Sequence, residues 1–172
     1  MGTRPVSTRW NEFAPPMALE PLETAEGSDA PLCRQLSVFV ENRLGQLLRL
    51  TRLFEQAETD LHICGLSVES AVDYAIVRML VNDAESAFRM LTDAGFAVTN
   101  TDVLVVELPP GRRGLMTVCV ALISGEININ YTYPLLADSD RNACMAFQVD
   151  NPTQAAAVLK ARKFRVLDQS EL

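Results

Sequence analysis

Residues 34–58 read RQLSVFVENRLGQLLRLTRLFEQAE, and two hydrophobic periods meet inside them. From Arg34 to Glu41 the pattern alternates: Leu36, Val38 and Val40 share one face, Ser37 and Phe39 the other. That period of two predicts a strand. From Gln46 to Glu58, Leu47, Leu50, Phe54 and Ala57 recur at intervals of three and four, one face of a helix. A polar turn, Asn42-Arg43-Leu44-Gly45, joins the two. Moving outward, Ile63 to Glu69 is a short strand containing Gly65. Ser70 to Asp73 turns the chain, and Tyr74 to Val81 is another strand. Asp83 is a good cap for a second helix through Ala94. Gly95 ends that helix, and Ala97 to Thr99 begins a last strand. The unit is βαββαβ.

The same order then runs again. Asp102 to Leu108 reads as a strand, Pro109 to Gly114 as a turn, and Leu115 to Ser124 as a helix. Ile127 to Leu136 and Cys144 to Val149 read as strands. Asn151 followed by Pro152 is a strong helix start; that helix runs to about Lys163, and Arg165 to Leu167 closes the unit. Gly45 and Gly114 are offset by 69 positions. Asp83 and Asn151, Phe96 and Phe164, and Val98 and Val166 are offset by 68. Four landmarks at one spacing predict an internal duplication. The expected fold class is therefore α+β: two tandem ferredoxin-like units over 32–100 and 101–172, each an antiparallel sheet with helices on one face.

Residues 1–31 differ. They hold five of the nine prolines and show no apolar period, which predicts an extended arm or flexible tail, with Trp10 and Phe13 as its possible anchors. Without such anchoring, deletion of the arm should leave the folded core intact. The first 20 residues lack a continuous apolar run, so no secretory leader is predicted. The longest apolar run, Leu115 to Ile123, is far short of the ~20 residues that span a bilayer.

The 172 residues carry 15 Lys+Arg against 22 Asp+Glu, a formal net charge of -7. Phosphate-backbone binding needs clustered cations, so an acidic chain argues against nucleic acid as a partner. Lys160, Arg162, Lys163 and Arg165 cluster at a helix C-terminus, where they complement its dipole. Phe39, Tyr131 and Tyr133 could stack bases on a strand face, but no basic surround accompanies them. Cys33, Cys64, Cys119 and Cys144 form no CxxC, and His62 is the single histidine. No metal site, cofactor or nucleophile pair is predicted, and the thiols read as inert ones in a reducing, cytoplasmic compartment. Asp138 and Asp140 read as a solvated loop pair. No hydrolase, kinase, zinc or dinucleotide motif is present, so the chain is not expected to be an enzyme.

The turns that precede the first helix of each unit are what remains. A helix N-terminus offers free N–H groups and a partial positive charge; Gly45 either lets a small carboxylate approach them closely or serves only the turn geometry. Glu41-Asn42-Arg43-Leu44-Gly45-Gln46-Leu47 resembles the strand-to-helix signature of ACT domains, with Leu44 where proline is usual. Ile127-Asn128-Ile129-Asn130-Tyr131-Thr132-Tyr133 resembles their second-strand signature. The whole of 32–170 resembles small stand-alone proteins built from two ACT domains and no catalytic domain.

That resemblance implies regulation by a free amino acid bound between domains. The implied ligand residues are Asn42, Arg43, Gly45 and Leu47 in the first turn, facing Asn128, Ile129 and Asn130. Reciprocal contacts would join Cys64 and Gly65 to Gly114 and Leu115. In the second turn, Pro110-Gly111-Arg112-Arg113-Gly114 keeps only Gly114 of the pattern. The resemblance also implies a homodimer. The alternative is an interaction subunit of a biosynthetic enzyme whose ligand pockets are vestigial.

Overall fold

The structure, a computed structural model, describes residues 30–136 and 142–172. Trp10, Phe13, the Asp138/Asp140 pair and all of the expected arm up to residue 29 lie outside the described residues. The chain runs β1 (Cys33–Glu41), α1 (Gln46–Glu55), β2 (Ile63–Ser70), β3 (Tyr74–Val81), α2 (Ala84–Asp93) and β4 (Ala97–Glu107). It continues with α3 (Gly114–Ser124), β5 (Ile129–Pro134), β6 (Cys144–Val149), α4 (Pro152–Ala161) and β7 (Val166–Leu167). The expected order of strands and helices is present, with one junction changed.

One junction differs from the expected pattern. The strands expected over 97–99 and 102–108 are a single strand, β4, so the expected domain boundary between Asn100 and Thr101 falls within it. Its Ala97–Val103 half pairs with Phe39–Cys33 of β1. Its Leu104–Glu107 half pairs with Phe147–Cys144 of β6, and Val105 and Val106 also pair with β7. The polar run Asn100-Thr101-Asp102 does not interrupt the strand, because its backbone pairs with Leu36, Gln35 and Arg34 of β1, and that pairing meets backbone groups that a break would leave open.

The result is one seven-stranded antiparallel sheet in the order β2-β3-β1-β4-β6-β5, with β7 beside β4. Its two extreme strands meet. Gly65 bridges Leu135, and the Leu136 N–H donates to Cys64 O at 2.8 Å. The sheet therefore curls until β2 touches β5.

All four helices pack on the outer face of this curl. Leu36, Val38 and Val40 meet Leu50, Phe54, Ala87 and Leu91 in one core. Leu104 and Val106 meet Val118, Leu122, Ala155 and Leu159 in a second. Each such fully buried Leu or Val contributes about 1.5–3 kcal/mol. The inner face closes on itself. Cys33, Leu80, Val103, Val105, Tyr133, Ala146 and Leu167 form a third, helix-free core. Tyr131 and Tyr133 point into this interior, where neither is presented as a stacking platform.

Candidate functional site

The helix starts divide by position in the repeat. The second helix of each unit is capped: Asp83 accepts from Ser86 N, and Asn151 accepts from Gln154 N, both at 3.0 Å. The first helix of each unit is not. Neither α1 nor α3 has a side-chain cap or an acidic residue in its first turn. An uncapped start leaves N–H groups and the positive pole of the dipole for another acceptor.

Strand direction places these starts. β1 and β2 both run antiparallel to β3, so they are parallel to each other. β5 meets β2 antiparallel. The ends of β1 and β2 and the beginning of β5 thus lie at one end of the molecule. The first turn and Asn128–Asn130 share that end. β4 runs antiparallel to β1, so the second turn lies at the other end, with Cys64 and Gly65.

At the first end, Asn42 donates its backbone N–H to Asp73 O at 3.1 Å and its Nδ2 to Ala71 O at 2.9 Å. The turn is thereby tied to the β2–β3 connection. Arg43 pairs with Glu41 at 3.1 Å, both side chains well exposed. Gly45 immediately precedes α1 in the left-handed region, φ 86°, with nothing within 4 Å of where a Cβ would stand. Leu47 presents a partly exposed apolar surface. Across this end, Asn128 Nδ2 donates to Asn130 Oδ1 at 3.2 Å, and Asn130 Nδ2 to Gln148 Oε1 at 2.7 Å. Ile129 packs against the second core. The bonds of each set run within its own unit; what they share is the end of the molecule.

Between β2 and β5 at this end stands a group that alternation alone did not reveal. Arg78 of β3 binds Glu69 of β2 at 2.7 Å, and its guanidinium lies 4.3 Å from the ring centroid of Tyr131 on β5. Beneath it Gln35, with no exposed surface, donates to Tyr131 Oη at 2.7 Å and accepts from Tyr133 Oη at 2.9 Å. Burial raises the Tyr133 phenol well above its usual value, which keeps it a donor. Gln35 was missed at the sequence level; it lies on the face of Ser37 and Phe39, and the curl buries Gln35 and Ser37 there.

The second end is occupied by the chain itself. The strand edge at Cys64 and Gly65 is paired with Leu136 and Leu135. A Cβ on Gly65 would stand 3.3 Å from Leu135 and 3.4 Å from Tyr133. Gly114 is buried, and a Cβ there would collide with the Pro109 carbonyl oxygen. It is the first residue of α3, aligned with Gln46 rather than Gly45, and the left-handed turn residue here is Gly111, φ 97°. Leu115 is partly exposed on the outer side of α3. Nearby, burial pushes the Cys33 thiol up to about 12, leaving it unreactive. Among the described residues no group of three or more His, Cys, Asp or Glu comes together, and no helix is long and apolar enough to cross a membrane.

Residues 32–172 match the family model of an ACT domain pair. A crystal structure of a protein from Bacteroides thetaiotaomicron is similar over 83% of this chain and 96% of that one, with 29% identity and a TM-score of 0.74. The ligand-free regulatory subunit of aspartate kinase from Thermus thermophilus shares the fold. It is 12% identical, with a TM-score of 0.53 over 76% of this chain and 92% of that one. No curated protein matches the sequence.

Proposed function

We propose, for a chain that belongs to the ACT domain pair family, that it is a regulatory protein that binds a free amino acid at its first end. The observation that carries this reading is the uncapped start of α1 at Gly45, beside an α2 whose start is capped by Asp83. The ligand carboxylate takes the place of the missing cap and accepts from the N–H groups of the first turn of α1. Gly45 leaves room for its approach. Asn42 turns its Nδ2 toward Ala71 O of the β2–β3 connection, and its side-chain carbonyl oxygen serves as an acceptor for the ligand ammonium. Asn128, Ile129 and Asn130 wall the far side, Leu47 supplies apolar surface, and Arg43 frames the rim. The protein works in the cytoplasm without catalysis, as a homodimer, and passes its ligand state to a biosynthetic enzyme.

Calorimetric titration against the common amino acids tests this. A ligand at ~100 times its Kd should add roughly 2.7 kcal/mol to native stability. Asn42→Ala should weaken binding about 10- to 150-fold, the cost of one hydrogen bond to a charged group. If the folded protein binds no amino acid at millimolar concentration, the reading fails and the chain is an interaction subunit with vestigial pockets.

A further inference from the structure

Helix α3, GLMTVCVALIS, carries no charged side chain, whereas α1, α2 and α4 each carry at least one. Its inner face is spent on the core through Gly114, Val118, Ala121 and Leu122. Its outer face is also apolar: Met116 is 54% exposed, Val120 53% and Ile123 70%, with Leu115 beside them. Met116, Val120 and Ile123 stand at intervals of four and three, a single stripe. Contiguous exposed apolar surface of this kind, rimmed by polar residues, marks an interaction site.

The rim identifies the partner. Exposed Arg112 and Arg113 precede the stripe, and exposed Glu126 follows it. We propose that the stripe is a two-fold seam between two copies of this chain, α3 against α3 in antiparallel orientation. An axis midway between Cys119 and Val120 sets Met116 opposite the partner's Ile123. The same axis sets Arg113 opposite the partner's Glu126. Apolar and charged positions come into register together, twice over, as a self-complementary isologous interface requires. Each arginine also meets the negative pole of the partner helix. A parallel pairing would set arginine against arginine. The proposal deepens the dimer reading by assigning its surface, and it is independent of the ligand.

Sedimentation equilibrium of the full chain reads it. The 18.9 kDa chain should sediment at twice its own mass, and Val120→Arg should return it to a single copy. The urea midpoint of that variant should stay near the wild-type value, showing that the fold is intact. Glu126→Lys should weaken the dimer about tenfold by placing like charges across both rims. Adding Arg113→Glu should restore it. A dimer that survives Val120→Arg moves the seam elsewhere and overturns the proposal without touching the dimer reading. A wild-type monomer at 100-micromolar concentration (order of magnitude, well above ordinary interface affinities) overturns both. So does a monomer whose α3 amides are protected from exchange only while residues 1–29 are present, which gives the stripe to that segment.

Discussion

The two ends of the molecule are built from equivalent parts and have come to different states. At the first end an uncapped helix start and the beginning of β5 face a rim of Asn42, Arg43, Asn128 and Asn130, all exposed. At the second end the equivalent strand edge is paired with Leu135 and Leu136, and the glycine at the helix start is packed against Pro109. The interior follows the same gradient. It is polar under the first end, where Gln35, Ser37, Arg78 and Tyr131 lie, and apolar around Cys33, Leu80 and Val105. A duplicated unit offers two potential sites. Here the strand edge at Cys64 and Gly65 closes the sheet.

The largest consequence is stoichiometric. If the second end is closed, calorimetry should give one amino acid per chain, and substitutions near Gly114 that leave the fold intact should not alter affinity. Two equivalent sites per chain would erase the distinction.

The glycines should separate the ends next. Gly114→Ala drives a methyl group into backbone and should cost about 3 kcal/mol, read as a lower urea midpoint. Gly45→Ala meets open space and bears only the left-handed backbone strain, about 1 kcal/mol. Equal costs would mean that the second turn can open to accept the methyl group. In the interior, Gln35→Leu leaves the hydroxyls of Tyr131 and Tyr133 without their shared partner. It should cost about 2 kcal/mol, with hydrogen exchange rising in β5 before β1. A neutral result would show water entering from the first end.

Most of this fold was legible because each unit states its own periods. Alternation in β1, helical spacing in α1 and the caps at Asp83 and Asn151 are local facts, and they place the elements within a few residues. What joins the units is not local. The strands read as beginning at Ala97 and at Asp102 are one, because the backbone between them is held by β1. Gln35 shares the strand face of Ser37 and Phe39, and its partners there, Tyr131 and Tyr133, come from the second unit. Gly45 and Gly114 looked equivalent at an offset of 69, but the helices align at 68, and the extra residue separates a left-handed cap from a packing glycine. The first-turn residues stand in one run of sequence, Asn42 to Leu47, and only the ACT resemblance marked them as a ligand set. Their convergence with Asn128–Asn130 on one end needed the direction of β5.

The smallest effect tests the duplication through its caps. Asp83 and Asn151 hold equivalent positions and make the same bond to the backbone three residues on. Replacing either by alanine should cost about 1 kcal/mol at neutral pH. Only one of them titrates. The bond from Ser86 holds the Asp83 carboxyl below its usual value. A group whose folded pKa is depressed contributes stability above its unfolded pKa and loses that contribution as pH falls toward the folded one. The cost of Asp83→Ala should therefore shrink between about pH 4 and pH 3, the range just below the ordinary aspartate pKa. The cost of Asn151→Ala should not change over the same range, since its amide carries no proton to gain. Urea melts of both variants at pH 7 and pH 3 give the comparison. If the Asp83→Ala cost persists at pH 3 like that of Asn151→Ala, the cap works through neutral hydrogen bonding alone, and charge at the start of α2 contributes nothing. The uncapped start of α1 would then have less pull on a carboxylate than the proposed site requires.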